Sequence, residues 1–392
     1  MFVAPDGRVF NAGPNPDAKY LNVATSTWEG NYNSGGWRTP GVGGNAAGTA
    51  VMYAPGKILI LGGVALNGSD VTHTTQRIDL NASAPAWQVD APMAYPRCHA
   101  NATLLPDGTV LVTGGSRLAN SGDSGAVLPA ELWTPGATGQ PGSWRIVASM
   151  TTAHLYHSTA VLLPDARVLT TGGGQGGSFV DHPTAEIYSP PYLFTGRPRP
   201  EIGATPAVLA YGSSFTVPTP STDVARATLV RLSSVTHSFN MNQRINELVV
   251  QSFSPGSDVT LQLPTSPNEC PPGQYMLFLL DSQGVPSVAR TVSVSGNTCG
   301  ASTTLAAATA MQTACSATVT VTASGTNVDT DYKWQVDGAY QASLDGLTSI
   351  TIPLYNYKTS AAVTVQVTPA CGGAPVQTAR TVHRYFPHCD PN

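Results

Sequence analysis

Charge is scarce in this chain. Only 11% of its 392 residues are Asp, Glu, Lys or Arg, the net charge is −4, and no basic run occurs. Without clustered Lys and Arg there is no electrostatic footprint for nucleic acid or for an acidic membrane surface. Apolar runs are short too. None reaches the roughly 18 residues that a spanning helix needs, so no membrane span is expected. Met1-Phe2-Val3-Ala4-Pro5-Asp6 enters a repeat directly, with no signal-peptide pattern before it. Export information is therefore expected to have been removed, or the N-terminus to be incomplete. Long stretches of helix formers are also missing, whereas 39 Gly, 32 Pro and many Thr, Ser and Val favour turn-rich β-structure. The chain reads as all-β.

No Cys-x-x-Cys spacing occurs among the six cysteines, which argues against a zinc site. Cys299, Cys315, Cys371 and Cys389 crowd the C-terminal quarter, Cys270 comes shortly before them, and Cys98 stands alone in the first half. A cysteine cluster in a Thr/Ser-rich β-segment fits disulfides, with Cys315–Cys371 and Cys299–Cys389 as one pairing, in a secreted, extracellular protein.

What is present first is a repeat. Phe2-Val3-Ala4-Pro5-Asp6-Gly7-Arg8-Val9-Phe10 returns as Met52-Tyr53-Ala54-Pro55-Gly56-Lys57-Ile58-Leu59 and Leu105-Pro106-Asp107-Gly108-Thr109-Val110-Leu111. It returns once more as Leu163-Pro164-Asp165-Ala166-Arg167-Val168-Leu169. Each copy is a strand, a tight turn and a second apolar strand. Each is followed by an aromatic: Trp28, Trp87, Trp133 with Trp144, and Tyr188. A period of roughly fifty residues with a di-glycine per unit is the kelch signature, one propeller blade per repeat. Four blades, spanning 1–192, are few for a closed ring, so the propeller is expected to be truncated or an open arc. Two immunoglobulin-like β-sandwich domains are expected after it, over 198–296 and over 300–392.

The chemistry sits in Tyr156-His157 and, later, Thr236-His237-Ser238. Imidazole nitrogens with a phenolate oxygen make a mixed N,O set that suits Cu(II). Tyr156-His157 is read on a strand, which turns His154 to the other side, away from His157. Gly172-Gly173-Gly174-Gln175-Gly176-Gly177 with Asp181-His182-Pro183 reads as a solvated loop able to cover a pocket. It lacks the strand-to-helix context of a phosphate loop, so nucleotide binding is not supported.

Together with the kelch repeats, the run Val235-Thr236-His237-Ser238-Phe239-Asn240 and the segments Ile187-Tyr188-Ser189-Pro190-Pro191-Tyr192-Leu193 and Gly284-Val285-Pro286-Ser287-Val288-Ala289 carry a likeness. Over about 1–296 the chain resembles the galactose oxidase and glyoxal oxidase family of copper radical oxidases. The resemblance implies His157 and His237 as equatorial copper ligands and Tyr156 as the axial phenolate and general base. It also implies a second tyrosine cross-linked to a cysteine. Here Arg97 is in place, but His99 stands at the tyrosine position and Ala47 at the cysteine position, so the cross-linked Tyr–Cys radical is not expected. His99 is read as extending the metal set to three imidazoles and a phenolate. Cys98 beside it is read as a buried apolar thiol, and Tyr95 replaces the missing phenol only if its loop is rearranged.

The expected function is a copper-dependent oxidoreductase, acting as a monomer on a primary alcohol, an aldehyde or a sugar hydroxyl, with O2 as acceptor and H2O2 as product. Two other readings stand beside it. One is a non-catalytic module binding carbohydrate or protein with a relic metal site. The other is a three-histidine centre of His99, His157 and His237 for non-radical oxidation or hydrolysis.

Overall fold

The repeats become antiparallel meanders because each apolar strand runs into a turn that reverses it at once. The structure, a computed structural model, describes residues 1–13, 18–30, 32, 47–64, 70–119, 122–174, 176, 179–295, 302–313, 316–326, 328–355, 360–369 and 376–383. The four repeat copies lie in four separate sheets in chain order. The first contains Phe2–Val3, Val9–Asn11, Lys19–Asn22 and Thr27–Glu29, and the second Thr49–Ala54, Lys57–Leu61, Thr75–Asp79 and Gln88–Val89. The third contains Asn101–Leu104, Val110–Thr113, Pro129–Thr134 and Ser143–Ser149, and the fourth Thr159–Leu162, Val168–Thr171 and Ala185–Tyr188.

The turn chemistry is visible in three of the four hairpins. Asp6, Asp107 and Asp165 accept a hydrogen bond from the backbone N–H two residues on, at 3.0, 3.0 and 3.1 Å, the local bond that makes aspartate a turn former. The next residue is left-handed: Gly7 at φ +87°, Gly108 at +91°, and Ala166 at +67°. Only the last of these strains an L-residue, by about 1–2 kcal/mol.

The chain is all-β, as its composition implied; among the described residues helix is confined to three short 3-10 turns. None is long and apolar enough to cross a membrane. Two compact units emerge, Met1–Val294 and Ser295–Asn392. In the first, the meanders' core of Leu59, Leu104, Leu111 and Trp133 runs on into Val230, Ile245, Met276 and Phe278 of a seven-stranded sheet. In that sheet Ile245–Ser254 pairs first with Arg226–Arg231 and then with Asp258–Gln262, and a register shift between Val250 and Ser252 lets it turn between layers. Arg244, fully in this interface, donates to the carbonyls of Val3, Asn268 and Glu269, fastening the sheet to the first meander.

The second unit has a three-stranded and a four-stranded sheet. Val319, Val321, Trp334, Val363 and Val365 share the core between them. The cysteines expected to staple this region, Cys299, Cys315, Cys371 and Cys389, lie outside the described residues. Cys98 and Cys270 are free and buried, and burial pushes the Cys98 thiol up to about 12, as befits an inert packed thiol.

A small hairpin, Val235–Thr236 paired with Phe239–Asn240, touches Thr49–Ala54, Asn101–Leu104 and Thr159–Leu162. Buried Gln243 pins it: its Nε2 donates to Ala102 O at 2.6 Å and its Oε1 accepts from Leu104 N at 2.9 Å. Thr49 Oγ1 adds a bond to Ser238 O at 2.5 Å. Gln243→Ala leaves two buried main-chain groups unpaired, so a loss of about 2–4 kcal/mol in denaturant unfolding is expected. Hydrogen exchange at 235–240 should quicken in the same variant, and unchanged exchange there would show that the pin is dispensable.

Candidate functional site

Every expected ligand sits where the chain reverses. His99 lies in the bend before Asn101–Leu104, Tyr156-His157 in a turn before Thr159–Leu162, and His237 at the tip of the small hairpin. The strand placement expected for Tyr156-His157 is corrected: Ser158 N–H donates to Leu155 O at 3.0 Å and closes a turn. His99, His157 and His237 hold φ values of +59°, +66° and +51°. Left-handed backbone is uncommon for a residue with a β-carbon, and such strain persists only where the surroundings over-determine it.

The four rings meet within one unit of the fold. The Tyr156 ring lies 3.8 Å from His157, 5.0 Å from His99 and 5.6 Å from His237, centroid to centroid. His157 and His237 are 4.8 Å apart with planes at 87°. His157 Nδ1 pairs with Gly174 O at 3.1 Å and His237 Nδ1 with Thr236 Oγ1 at 2.7 Å, which leaves each Nε2 available. Both imidazoles are exposed, whereas Tyr156 and His99 are buried beneath them.

His99 is the odd ring. Its Nδ1 is buried without a hydrogen-bond partner, an uncommon state for a native polar atom. Burial first, then the neighbouring His157 and His237, pushes its pKa down to about 4, so it is neutral near pH 7, the form that ligates. Two imidazole nitrogens whose rings approach within reach of one ion at about 2 Å per bond, with a phenol beside them, fit copper. Among the described residues, no group of three or more His, Cys, Asp or Glu is spaced to hold an ion. The rings brought within reach of one ion are therefore His157 and His237 with Tyr156, and neither a centre of His99, His157 and His237 nor the expected extension of the set by His99 is assembled.

The loop carrying His99 hangs on a buried ion pair that the sequence reading missed. Arg97, fully buried, meets Glu131 at 3.0 Å and donates to Gly114 O and Pro129 O at 2.8 and 2.5 Å. Glu131 also accepts from Ala94 N and Tyr95 N at 2.6 and 3.3 Å. The one signal was a carboxylate inside the apolar strand Pro129-Ala130-Glu131-Leu132-Trp133. The Tyr95 ring stands 5.8 Å from the Arg97 guanidinium, tied to this pair. Asn101 Nδ2 donates to Ser158 Oγ at 2.9 Å, joining the His99 loop to the Tyr156 turn.

His154 is 1% exposed. It does not face away along a strand but is held inside, its Nδ1 2.6 Å from Gly172 O and its Nε2 3.6 Å from Glu186. In the glycine-rich loop, His182 pairs with Asp123 at 2.9 Å. His99 N–H donates to Ala47 O at 2.8 Å, so the two positions matched to the tyrosine–cysteine cross-link are neighbours, occupied by imidazole and methyl.

Comparison with known proteins shows what the chain is similar to. The description "Glyoxal oxidase N-terminus" matches residues 58–192 and "Galactose oxidase-like, Early set domain" matches 199–294. A galactose oxidase of Gibberella zeae is 32% identical over 311 residues, covering 75% of this chain and 44% of that protein. The aldehyde oxidase GLOX of Vitis pseudoreticulata is 31% identical, covering 63% of this chain and 53% of its own length. The chain thus spans about half the length of the curated relatives it matches. A fungal alcohol oxidase of the AA5 family, solved in complex with copper, superposes with a TM-score of 0.64 at 30% identity, covering 74% of this chain and 61% of that one.

Two outcomes follow from the geometry. Arg97→Met strands the Glu131 carboxylate, and a loss of about 3–5 kcal/mol is expected in equilibrium unfolding; a loss below 1 kcal/mol would show that the pair is not a linchpin. For His99, whose folded pKa lies below its unfolded value of about 6.5, the unfolded chain binds the extra proton. Its neutral burial therefore stabilises fully above pH 6.5 and is lost as pH falls towards 4, by on the order of 3 kcal/mol. His99→Phe should flatten that part of the metal-free protein's stability profile, and an unchanged slope would count against a neutral, buried His99.

Proposed function

Because the chain belongs to the galactose oxidase and glyoxal oxidase family, we propose that it is a copper-dependent oxidase. It takes two electrons and two protons from a primary alcohol, an aldehyde or a sugar hydroxyl and gives them to O2, releasing H2O2. The observation that carries the reading is the meeting of His157, His237 and Tyr156, with the two histidine rings 4.8 Å apart.

Copper, when bound, supplies a one-electron couple and a Lewis-acid position for the substrate oxygen. With His99 and Ala47 at the positions of the tyrosine–cysteine cross-link, the second electron of each turnover would pass to O2 itself, and the chain's own groups would hold the metal and move the proton. His157 and His237 present Nε2, and His99 packs edge-on against Tyr156 at 5.0 Å. Tyr156, stacked on His157, is placed to accept the hydroxyl proton as general base. Exposure of His157 and His237 leaves the site open to a small polar molecule, and the low share of charged residues in the chain, 11%, suits a neutral substrate. Action outside the cell is part of the same proposal and rests on the clustering of cysteines in the C-terminal quarter.

The test is peroxide release from copper-loaded protein across simple alcohols, aldehydes and sugars. His157→Ala and His237→Ala are expected to lose copper and activity together. Tyr156→Phe should keep copper within about tenfold while kcat falls by 10²–10⁴. Copper-loaded wild type that yields no peroxide on any of these substrates overturns the proposal.

A further inference from the structure

We infer that Gly172-Gly173-Gly174 is a main-chain template that fixes the tautomer and aim of His157, with Gly174 as the positioning residue. The inference rests on the copper reading for its purpose, though not for its geometry. The glycine run lies along the turn that carries Tyr156-His157. Gly172 O sits 2.6 Å from His154 Nδ1, Gly174 N–H donates to Tyr156 O at 2.8 Å, and Gly174 O pairs with His157 Nδ1 at 3.1 Å. One residue thus holds both neighbours of the site through main-chain atoms alone.

A carbonyl only accepts. His157 must therefore carry its proton on Nδ1 and present a lone pair at Nε2. A side-chain partner could rotate or titrate away, whereas a peptide carbonyl does neither. His237 is treated differently: its Nδ1 faces the Thr236 hydroxyl at 2.7 Å, and a hydroxyl both donates and accepts, so either tautomer is served. The two exposed imidazoles are unequal, one locked and one free to adapt.

Only glycine serves at this position. Gly174 has φ +135°, and a β-carbon there would come within 2.2 Å of Asp181 Oδ1 and 2.7 Å of Asp181 Cα. At Gly173, φ +127°, a β-carbon would meet Leu155 N at 2.9 Å. From the outer side, His182 N–H donates to Gly173 O at 2.8 Å and Asp181 Oδ1 accepts from Gly176 N at 3.0 Å. The run is clasped between the Tyr156-His157 turn and Asp181-His182. This absorbs a glycine cluster and an Asp-His pair that the oxidase chemistry itself does not use.

The experiment is long-range 1H–15N NMR of the full, metal-free chain at about pH 7.5, above the ordinary histidine range, with His157 assigned by its loss in His157→Gln. A single Nδ1–H tautomer is expected for His157. Gly174→Ala should abolish that single tautomer and weaken Cu(II) binding about 10- to 100-fold. Gly196→Ala, also at positive φ (+73°) but with nothing within 4 Å of its β-carbon, should keep both. Gly174→Ala with an unchanged tautomer and unchanged Cu(II) affinity overturns the inference. If Gly174→Ala does not fold, the wild-type spectrum decides: His157 protonated at Nε2, or exchanging between tautomers, overturns it as well. A copper-loaded wild type that makes no peroxide would sink the oxidase reading and leave the tautomer result standing.

Discussion

Three histidines held in left-handed backbone are the constraint on which the rest of the site depends. Each occupies a conformation that costs an L-residue roughly 1–2 kcal/mol, so each must be held by something stronger than its own propensity. His99 is held by the hydrogen bond to Ala47 and by the Arg97–Glu131 pair in the same loop. His157 is held by the Leu155–Ser158 turn and by Gly174. His237 rides on a hairpin pinned by Gln243 and Thr49. Three separate stretches of chain thus deliver rings to one place through main-chain geometry, and little of the work falls on the side chains' own rotamers.

This arrangement makes sense of the protein's charge economy. With few charged residues overall, a fully buried ion pair holds the loop that presents His99. A buried Arg–Glu pair is weak evidence for stability in itself, because desolvation cancels much of the attraction. Its value lies in direction: a bidentate-capable guanidinium bound to Glu131, Gly114 O and Pro129 O admits one loop geometry and penalises the others. Burial, with His157 and His237 beside it, keeps His99 unprotonated.

Much of the fold was legible in the sequence because its signals are local. The Asp107-Gly108 and Asp165-Ala166 turns form from bonds two residues apart, and the flanking apolar runs pair as read. Cys98 is buried as alternation suggested, although it reaches Leu118 O through its Sγ at 3.2 Å. The site was legible in membership, and less so in geometry. Tyr156, His157 and His237 stood out as residue types, but period-two alternation sent His154 outward, and it failed because those residues lie in a turn where no alternation exists. Glu131 and Gln243 went unread, and Gly174 was read only as part of a solvated loop, since each acts on main-chain atoms that a sequence does not display.

The sequence by itself determined an all-β chain of repeated hairpins and the few side chains able to hold a metal, because turn chemistry and donor identity are properties of neighbouring residues. Only the tertiary structure decided that His99, His157 and His237 converge on Tyr156, which ring nitrogens remain available, and that His99 is buried with an unpaired nitrogen. Those are consequences of loops brought together from positions up to 138 residues apart, where direction is set by left-handed turns and long-range hydrogen bonds that no local pattern encodes.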